Sequence, residues 1–242
     1  MSRVIWEVDF RVSGNVTLSI NDMEIIQEKG FSIDQFYSTI KFKRDSQGIR
    51  VCLTAYAENQ NDAYIVANVY LERAINLLSV LIDLPLKVET ENKKILSTGQ
   101  LVRRQLIQGD LQRAFMLSRQ FEQDNPKVLR ALSWYCKGNN SFNVLDRFTS
   151  YWTCIEILSA EYHTPTDRTR RGTKNQIYQC YIDYLDESYV IDWLDNAYQL
   201  RNNILHGGVE ITYDKIIEIS NDSNIIKNHS KDLIIKIIET FS

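Results

Sequence analysis

The apolar residues of this chain follow two different periods, and the change from one to the other bounds what it can fold into. Up to Ala57 they alternate with polar residues: Val4, Trp6 and Val8 against Arg3, Glu7 and Asp9, then Val16-Thr17-Leu18-Ser19-Ile20 after Ser13-Gly14-Asn15. A period of two belongs to strands with one buried face. Phe36 to Phe42 and Ile49 to Ala57 continue it, joined by Lys43-Arg44-Asp45-Ser46-Gln47-Gly48, a polar, glycine-ended stretch that reads as a hairpin loop. From Asn61-Asp62, read as a cap, the residues Ile65, Val69, Leu71, Ala74, Ile75, Leu78 and Ile82 recur at helical spacing until Pro85 stops them. This helix is expected to pack on the strands. Residues 97–124 read as a connecting helical segment rich in Gln and Arg, with Gly109 and Asp110 as a candidate break, and from Pro126 onward no strand pattern is evident. Helices are expected over 126–137, 142–162, 174–188 and 189–206, with one or two more from 213 to 241 and polar joints at Lys137-Gly138-Asn139-Asn140 and Thr164 to Thr173.

The expected fold class is therefore α+β. A small mixed sheet with one helix occupies residues 1–90, a helical connector 91–125, and an all-helical bundle of four or five helices 126–242. A chain of 242 residues suffices for two such units, each with its own core. Its formal net charge of −3 argues against a protein that coats nucleic acid through bulk electrostatics, so any RNA contact needs a local patch. Cys52, Cys136, Cys154 and Cys180 include no CxxC pair and have no histidine at ligand spacing, which points to reduced, mostly buried thiols rather than zinc or disulfides. No metal or cofactor is expected, and no Walker-type or dinucleotide-binding glycine motif is present. The charged N-terminus, and the absence of any segment approaching the ~20 apolar residues of a membrane span, place the protein in the cytoplasm with no membrane partner.

The run Arg201-Asn202-Asn203-Ile204-Leu205-His206, followed by Gly207-Gly208, carries the most chemistry. On a helical wheel of about 100° per residue from Val190, the residues Val190, Trp193, Leu194, Ala197, Tyr198, Ile204 and Leu205 share one stripe, and Arg201 falls near its middle. A guanidinium there needs an acid, a phosphate or a subunit seam. His206 follows roughly 7.5 Å along the axis, one turn after Asn202. Gly207 supplies a left-handed helix end that leaves the imidazole reachable. In the helix from Phe142, the residues Leu145, Phe148, Trp152 and Ile155 form the inward stripe with Glu156 on its edge, so a Glu156 to Arg201 contact is expected. It would serve equally as a structural tie between two helices or as part of a site. Arg147 lies on the far side of that helix and reads as surface.

Asp167-Arg168-Thr169-Arg170-Arg171-Gly172-Thr173-Lys174 is the densest basic run and leads into a helix N-terminus. Arg168, Arg170, Arg171 and Lys174 could guide an RNA backbone, or could be a solvated loop balanced by Asp183, Asp186, Glu187, Asp192 and Asp195. The aromatic residues Tyr135, Tyr151, Trp152, Tyr178, Tyr181, Trp193 and Tyr198 lie mostly at core spacing and read as packing.

Two stretches give the C-terminal half a resemblance. Ala131-Leu132-Ser133-Trp134-Tyr135-Cys136-Lys137-Gly138 with Asp146-Arg147-Phe148 and Trp152-Thr153-Cys154-Ile155-Glu156-Ile157-Leu158 is one, and Arg201-Asn202-Asn203-Ile204-Leu205-His206-Gly207 is the other. Together they resemble the Apea-like group of HEPN domains over about residues 126–210, the second matching that family's Arg-x4-6-His signature with a polar residue after the arginine. The resemblance leaves the N-terminal unit unexplained. It implies a metal-independent endoribonuclease whose composite site forms when two protomers join. His206 would be the general acid or base in attack by the RNA 2′-OH, Arg201 would stabilise the phosphorane, Asn202 would orient the histidine or the phosphate, and Glu156 would hold Arg201, with Asn203 in support. Products would be a 2′,3′-cyclic or 3′-phosphate and a 5′-hydroxyl. The setting implied by analogy is a toxin–antitoxin, abortive-infection or other antiphage system, with an antitoxin or defence-system protein as partner. The alternative is a non-catalytic HEPN module that binds RNA, nucleotide or a protein. A third reading makes Arg201 a core ion pair and His206 a cap on the helix dipole.

Overall fold

The computed structural model describes residues 3–29, 36–46, 48–89, 104–141, 143–209 and 212–241. Residues 91–103 of the expected connector, Gln47 of the expected loop and Phe142 lie outside them, as do the side chains of Asn61 and Ile65. The chain divides into two compact units between Arg119 and Gln120, and each has the fold class expected of it.

In the first unit, β3 (Asp22–Lys29), β4 (Phe36–Asp45), β5 (Gly48–Ala57), β1 (Val4–Ser13) and β6 (Lys87–Glu89) form one sheet in that order, every pair antiparallel. The expected mixed sheet is thus antiparallel throughout. The parallel pairing falls in a separate ribbon of β2 (Val16–Leu18) and β7 (Arg104–Leu106), so the expected helical connector contains a strand. Alternation holds: Phe10, Val12, Ile40, Phe42, Ile49, Val51, Leu53 and Ala55 face inward and are almost wholly buried. The β4–β5 pairing runs on to Asp45↔Gly48, so Lys43 to Asp45 belong to the strand rather than to a loop.

Helix α1 (Gln60–Ile82) covers this face with Ala63, Ala67, Leu71, Ala74, Ile75 and Leu78. Small residues at the first positions let it lie close to the strands. Its cap is Asn59, two residues before the expected one: the Asn59 side chain accepts from the Asp62 amide at 3.0 Å and donates to the Asp62 carboxylate at 2.8 Å. Over Asp62–Ile82 this helix does have the length and hydropathy of a membrane span, contrary to the reading that no segment approaches one. That apolarity is spent on the sheet, where its stripe is core. Helix α2 (Gln108–Asp124) crosses the unit boundary, and its early residues Leu111, Ala114 and Phe115 complete the sheet core. Gly109 and Asp110 begin this helix rather than break one, because Asp110 accepts from the Ile107 amide at 3.0 Å.

The second unit is built around α4 (Val144–Tyr162), which packs against α3 (Pro126–Asn140), α5 (Thr173–Tyr184), α7 (Leu194–Leu205) and α8 (Tyr213–Phe241). Packed on several sides, α4 buries Phe148, Tyr151, Trp152, Cys154, Ile155 and Leu158. Leu145, expected on the inward stripe, is half-buried in the first turn. The segment expected as one helix over 189–206 is two, a short α6 (Ser188–Ile191) and then α7, with Trp193 at the junction. The C-terminal segment is a single helix, because Ile219, Ser223, Ile226, Ser230, Leu233 and Ile237 repeat at three- and four-residue spacing without interruption. Ser223 and Ser230 hydroxyls donate to the α4 carbonyls of Val144 and Tyr151, at 3.3 and 3.4 Å. All four cysteines are free, with Cys136, Cys154 and Cys180 buried and Cys52 half-buried. Burial raises the Cys154 thiol well above its usual range and the Cys180 thiol to about 12, so neither is a nucleophile near neutral pH.

Gly48 is the tightest point of the sheet. Its φ is +144°, and a Cβ there would meet the Val12 carbonyl oxygen at 2.1 Å. Gly48→Ala is therefore expected to lower the urea unfolding free energy of the N-terminal unit by about 2 kcal/mol or more. A change below the usual ±0.5 kcal/mol of an innocuous surface substitution would contradict this packing.

Candidate active site at the end of helix α7

Arg201 lies on α7, and Glu156 lies on α4 one turn after the buried Trp152. Their side chains meet: the Arg201 Nη2 is 3.2 Å from the Glu156 Oε1, and each side chain is about a quarter exposed. This is the contact that the helical wheel calls for, since Arg201 stands among residues that face the bundle. The second guanidinium nitrogen, Nη1, donates to the Oδ1 of Asn202 at 3.1 Å. That bond sets the amide, because an Oδ1 turned to the guanidinium leaves Nδ2 as the outward group, a donor. Arg201 Nε is buried with no partner among the described residues. The guanidinium is thus held through two of its three nitrogens.

Aromatic packing underlies this arrangement. Trp152 lies 6.1 Å from Tyr198 and 6.4 Å from Trp193, both ring to ring, and Tyr198 is one turn before Arg201. Of the apolar stripe expected around Arg201, Val190, Trp193, Leu194 and Ala197 are buried, whereas Leu205 is 54% exposed. The wheel assumed one helix from Val190. The helix breaks at Trp193 and ends at Leu205.

The end of α7 is a Schellman cap. The Gly208 amide donates to the Asn203 carbonyl at 2.8 Å and the Gly207 amide to Ile204 at 3.3 Å, with Gly207 at φ +69°. His206 is the C-cap residue, its own amide bonded to the Asn202 carbonyl at 3.0 Å, and its side chain is exposed. The imidazole has no hydrogen bond to a described residue and projects where the chain leaves the helix. Asn203 contributes through its backbone carbonyl, and its side chain is exposed.

The basic run goes elsewhere. Arg170 pairs with Asp167 at 3.3 Å, both largely exposed, and Lys174 with Asp195 at 2.6 Å. The Arg168 guanidinium stacks 4.1 Å from the Tyr178 ring and donates to Asn175 at 3.3 Å. Asp183 accepts from the Thr164 amide at 2.6 Å. Arg168, Arg170 and Lys174 are engaged by partners in or beside the loop, in line with the balanced-loop reading, while Arg171 is exposed in a single 3-10 turn, Thr169–Arg171. Lys174 does reach α7, but at its first turn, roughly 9 Å along the axis from Arg201. Arg147 is bound to Asn224 at 3.2 Å, away from Glu156.

One histidine that sequence reasoning passed over proves structural. The His229 ring stacks on Trp193 at 4.5 Å, and its Nδ1 is buried without a partner among the described residues. Its position on the Ile226, Ser230 and Leu233 side of α8 is the signal that could have found it. Among the described residues no group of three or more His, Cys, Asp and Glu side chains is placed to hold a metal ion. No protein-family model, curated protein or solved structure matches this chain.

Two measurements check this packing. Glu156→Gln, which leaves Arg201 without its carboxylate, is expected to cost about 1–3 kcal/mol in urea unfolding, between the values for exposed and buried pairs. No loss would mean that the pair ties nothing. Burial depresses the His229 imidazole from its usual 6.5 to about 4. The unfolded chain takes up this proton first as pH falls, so stability is greatest above pH 6.5 and declines between 6.5 and about 4. His229→Phe, which keeps the ring stack, should flatten that part of the pH–stability curve, and an unchanged slope would contradict the buried, neutral imidazole.

Proposed function

We propose that the helical unit is a HEPN-type, metal-independent endoribonuclease acting in the cytoplasm. The observation that carries this reading is the juxtaposition on α7 of a guanidinium braced by Glu156 and Asn202 with an exposed imidazole at the helix end. A phosphodiester with a neighbouring 2′-OH needs three things from a protein. It needs a base for the hydroxyl proton, an acid for the 5′-oxygen that leaves, and a cation for the charge of the five-coordinate phosphorane.

Arg201 supplies the cation, and the Asn202 Nδ2 a neutral donor to a phosphate oxygen. Glu156 is a positioning residue that keeps the guanidinium in one rotamer. The HEPN resemblance implies two copies of the chain, each giving one His206, so that a base and an acid stand at opposite ends of the displacement. The 2′-oxygen attacks phosphorus as its proton passes to one imidazole, and the P–O5′ bond breaks as the other imidazolium protonates the leaving oxygen. The products are a 2′,3′-cyclic phosphate and a 5′-hydroxyl. Antiphage defence or a toxin system, with an antitoxin or defence-system protein as partner, is the setting that the HEPN resemblance implies by analogy.

A second reading draws on the same pair. Because Glu156 already neutralises Arg201 within one chain, the Arg-Asn-x3-His run equally suits a non-catalytic module that docks RNA, nucleotide or a protein. The two separate on activity. Purified wild type incubated in EDTA with labelled single-stranded RNA and tRNA is expected to cut, whereas His206→Ala and Arg201→Ala lose at least about a hundredfold in rate, the low end for a general acid–base group. Circular dichroism and sedimentation must show the His206→Ala fold and association unchanged. Equal activity of wild type and variants, or none in any, would exclude the catalytic assignment.

A further inference from the structure

Helix α3 turns one side to α4 and α8 and buries Val128, Leu129, Ala131, Leu132, Tyr135 and Cys136 in the bundle. The other side carries Lys127, Arg130, Trp134 and Lys137. At their spacing these four lie within roughly 80° of one another and span roughly 15 Å of the axis. The three cations are exposed and Trp134 is half-buried. The Lys137 ammonium lies 4.4 Å from the centre of the Trp134 ring.

The row has no acid of its own to balance it. Residues 126–140 contain no Asp or Glu, and among the described residues the Lys127 and Arg130 side chains have neither an ion pair nor a hydrogen bond. Acids toward the adjoining helix ends, Asp124 of α2 and Asp146 and Glu161 of α4, pair with none of the three cations. On α8, by contrast, Lys215 pairs with Glu218 at 2.6 Å and Lys236 with Glu239 at 2.9 Å. Helix stability does not call for the row either. Lys137 in the last turn suits the helix dipole, but Lys127 stands at the start of the helix, where a cation opposes it. Two cations three residues apart, Lys127 and Arg130, add repulsion.

We propose that this side of α3 is a docking surface for single-stranded RNA, separate from the chemistry at α7. Unpaired cations attract phosphates of any origin. The indole among them is what selects a single strand, whose unstacked bases offer a flat face that a duplex hides. An acidic peptide would answer the charge and leave the indole unused. Lys127 and Arg130 bind phosphates, Arg130 as a fork. The Lys137 ammonium exchanges the Trp134 ring for a phosphate, and a base takes its place on the indole. Such contacts position a strand without reading its sequence. The choice of ribose over deoxyribose rests on the nuclease reading of α7, whereas the docking row rests on α3 alone.

The test is anisotropy titration of a short labelled oligouridylate with the full chain in EDTA, carrying His206→Ala so that binding is read without cleavage. Saturable binding is expected, with log K falling by about 2 per tenfold rise in salt, for three phosphates at roughly 0.7 each. Lys127→Gln with Arg130→Gln should reduce that slope to about 0.7 and weaken binding at low salt at least about tenfold. The unfolding midpoint should not move, since neither residue has a partner to lose. Trp134→Leu, compared below its own unfolding midpoint, should weaken binding roughly tenfold at an unchanged slope, the loss of one stacked base. Lys87→Gln, an equal change of charge at an exposed position in the sheet unit, should alter neither quantity. Absence of saturable binding, an unchanged slope in the double variant, or an equal loss in Lys87→Gln overturns the surface. No loss in Trp134→Leu overturns the stacked base and with it the preference for a single strand. Binding as expected, by a protein whose wild type cuts no RNA, upholds the surface and removes the nuclease reading. Cutting by wild type with binding untouched in the double variant does the reverse.

Discussion

A guanidinium on the bundle-facing side of α7 is the constraint to which much of the helical unit answers. Left alone there, Arg201 would cost several kcal/mol of desolvation. Glu156 offsets this from the central helix of the bundle, and the pair, 3.2 Å from Nη2 to Oε1, thereby ties α7 to α4. The rest follows outward from that contact. Asn202 turns its carbonyl oxygen to the remaining amino group, Tyr198 and Trp193 pack on Trp152 beneath, and Gly207 ends the helix so that His206 stands clear of it. A pair so placed holds two helices whatever else it does. The exposed imidazole one turn beyond Asn202 is what a purely structural tie would not require.

The parts that sequence reveals are those where a single residue has no comfortable alternative. Arg201 on an apolar stripe called for an acid, a phosphate or a subunit seam, and Glu156 stood at the edge of a facing stripe. Gly207 after a helical run marked the left-handed cap. Strong alternation made β1, β4 and β5 legible in the same way. Strand β3 escaped because Met23 and Ile25 are its buried apolar residues, amid Asp22, Glu24, Gln27, Glu28 and Lys29, so its alternation is drowned in charge. The break between α6 and α7 carries no glycine or proline, and it is set by the packing of Trp193 between Trp152, Tyr181 and His229. Such breaks are tertiary in origin, and a wheel drawn straight through one misplaces residues far from its start, as it did Leu205. The basic run before α5 stayed open between an RNA guide and a balanced loop for a related reason, since composition cannot show that Arg170 and Lys174 have acids and Arg168 an aromatic face within reach.

In the helical unit a cation is paired and an imidazole left open, and the proposed nuclease reading rests on that arrangement. A net charge of −3 fits that reading, because the site it needs is only a local patch.

The central claim is that His206 and Arg201 serve attack by a ribose 2′-oxygen, and the most direct measurement varies that oxygen alone. Wild-type protein in EDTA would be given two otherwise identical labelled RNAs, one all-ribose and one with 2′-deoxyribose at the mapped cleavage position. The account predicts that the all-ribose strand is cut there to a 2′,3′-cyclic phosphate and a 5′-hydroxyl, and that the deoxy strand survives at that bond. Cleavage of both strands at the same rate, or of neither, would contradict it.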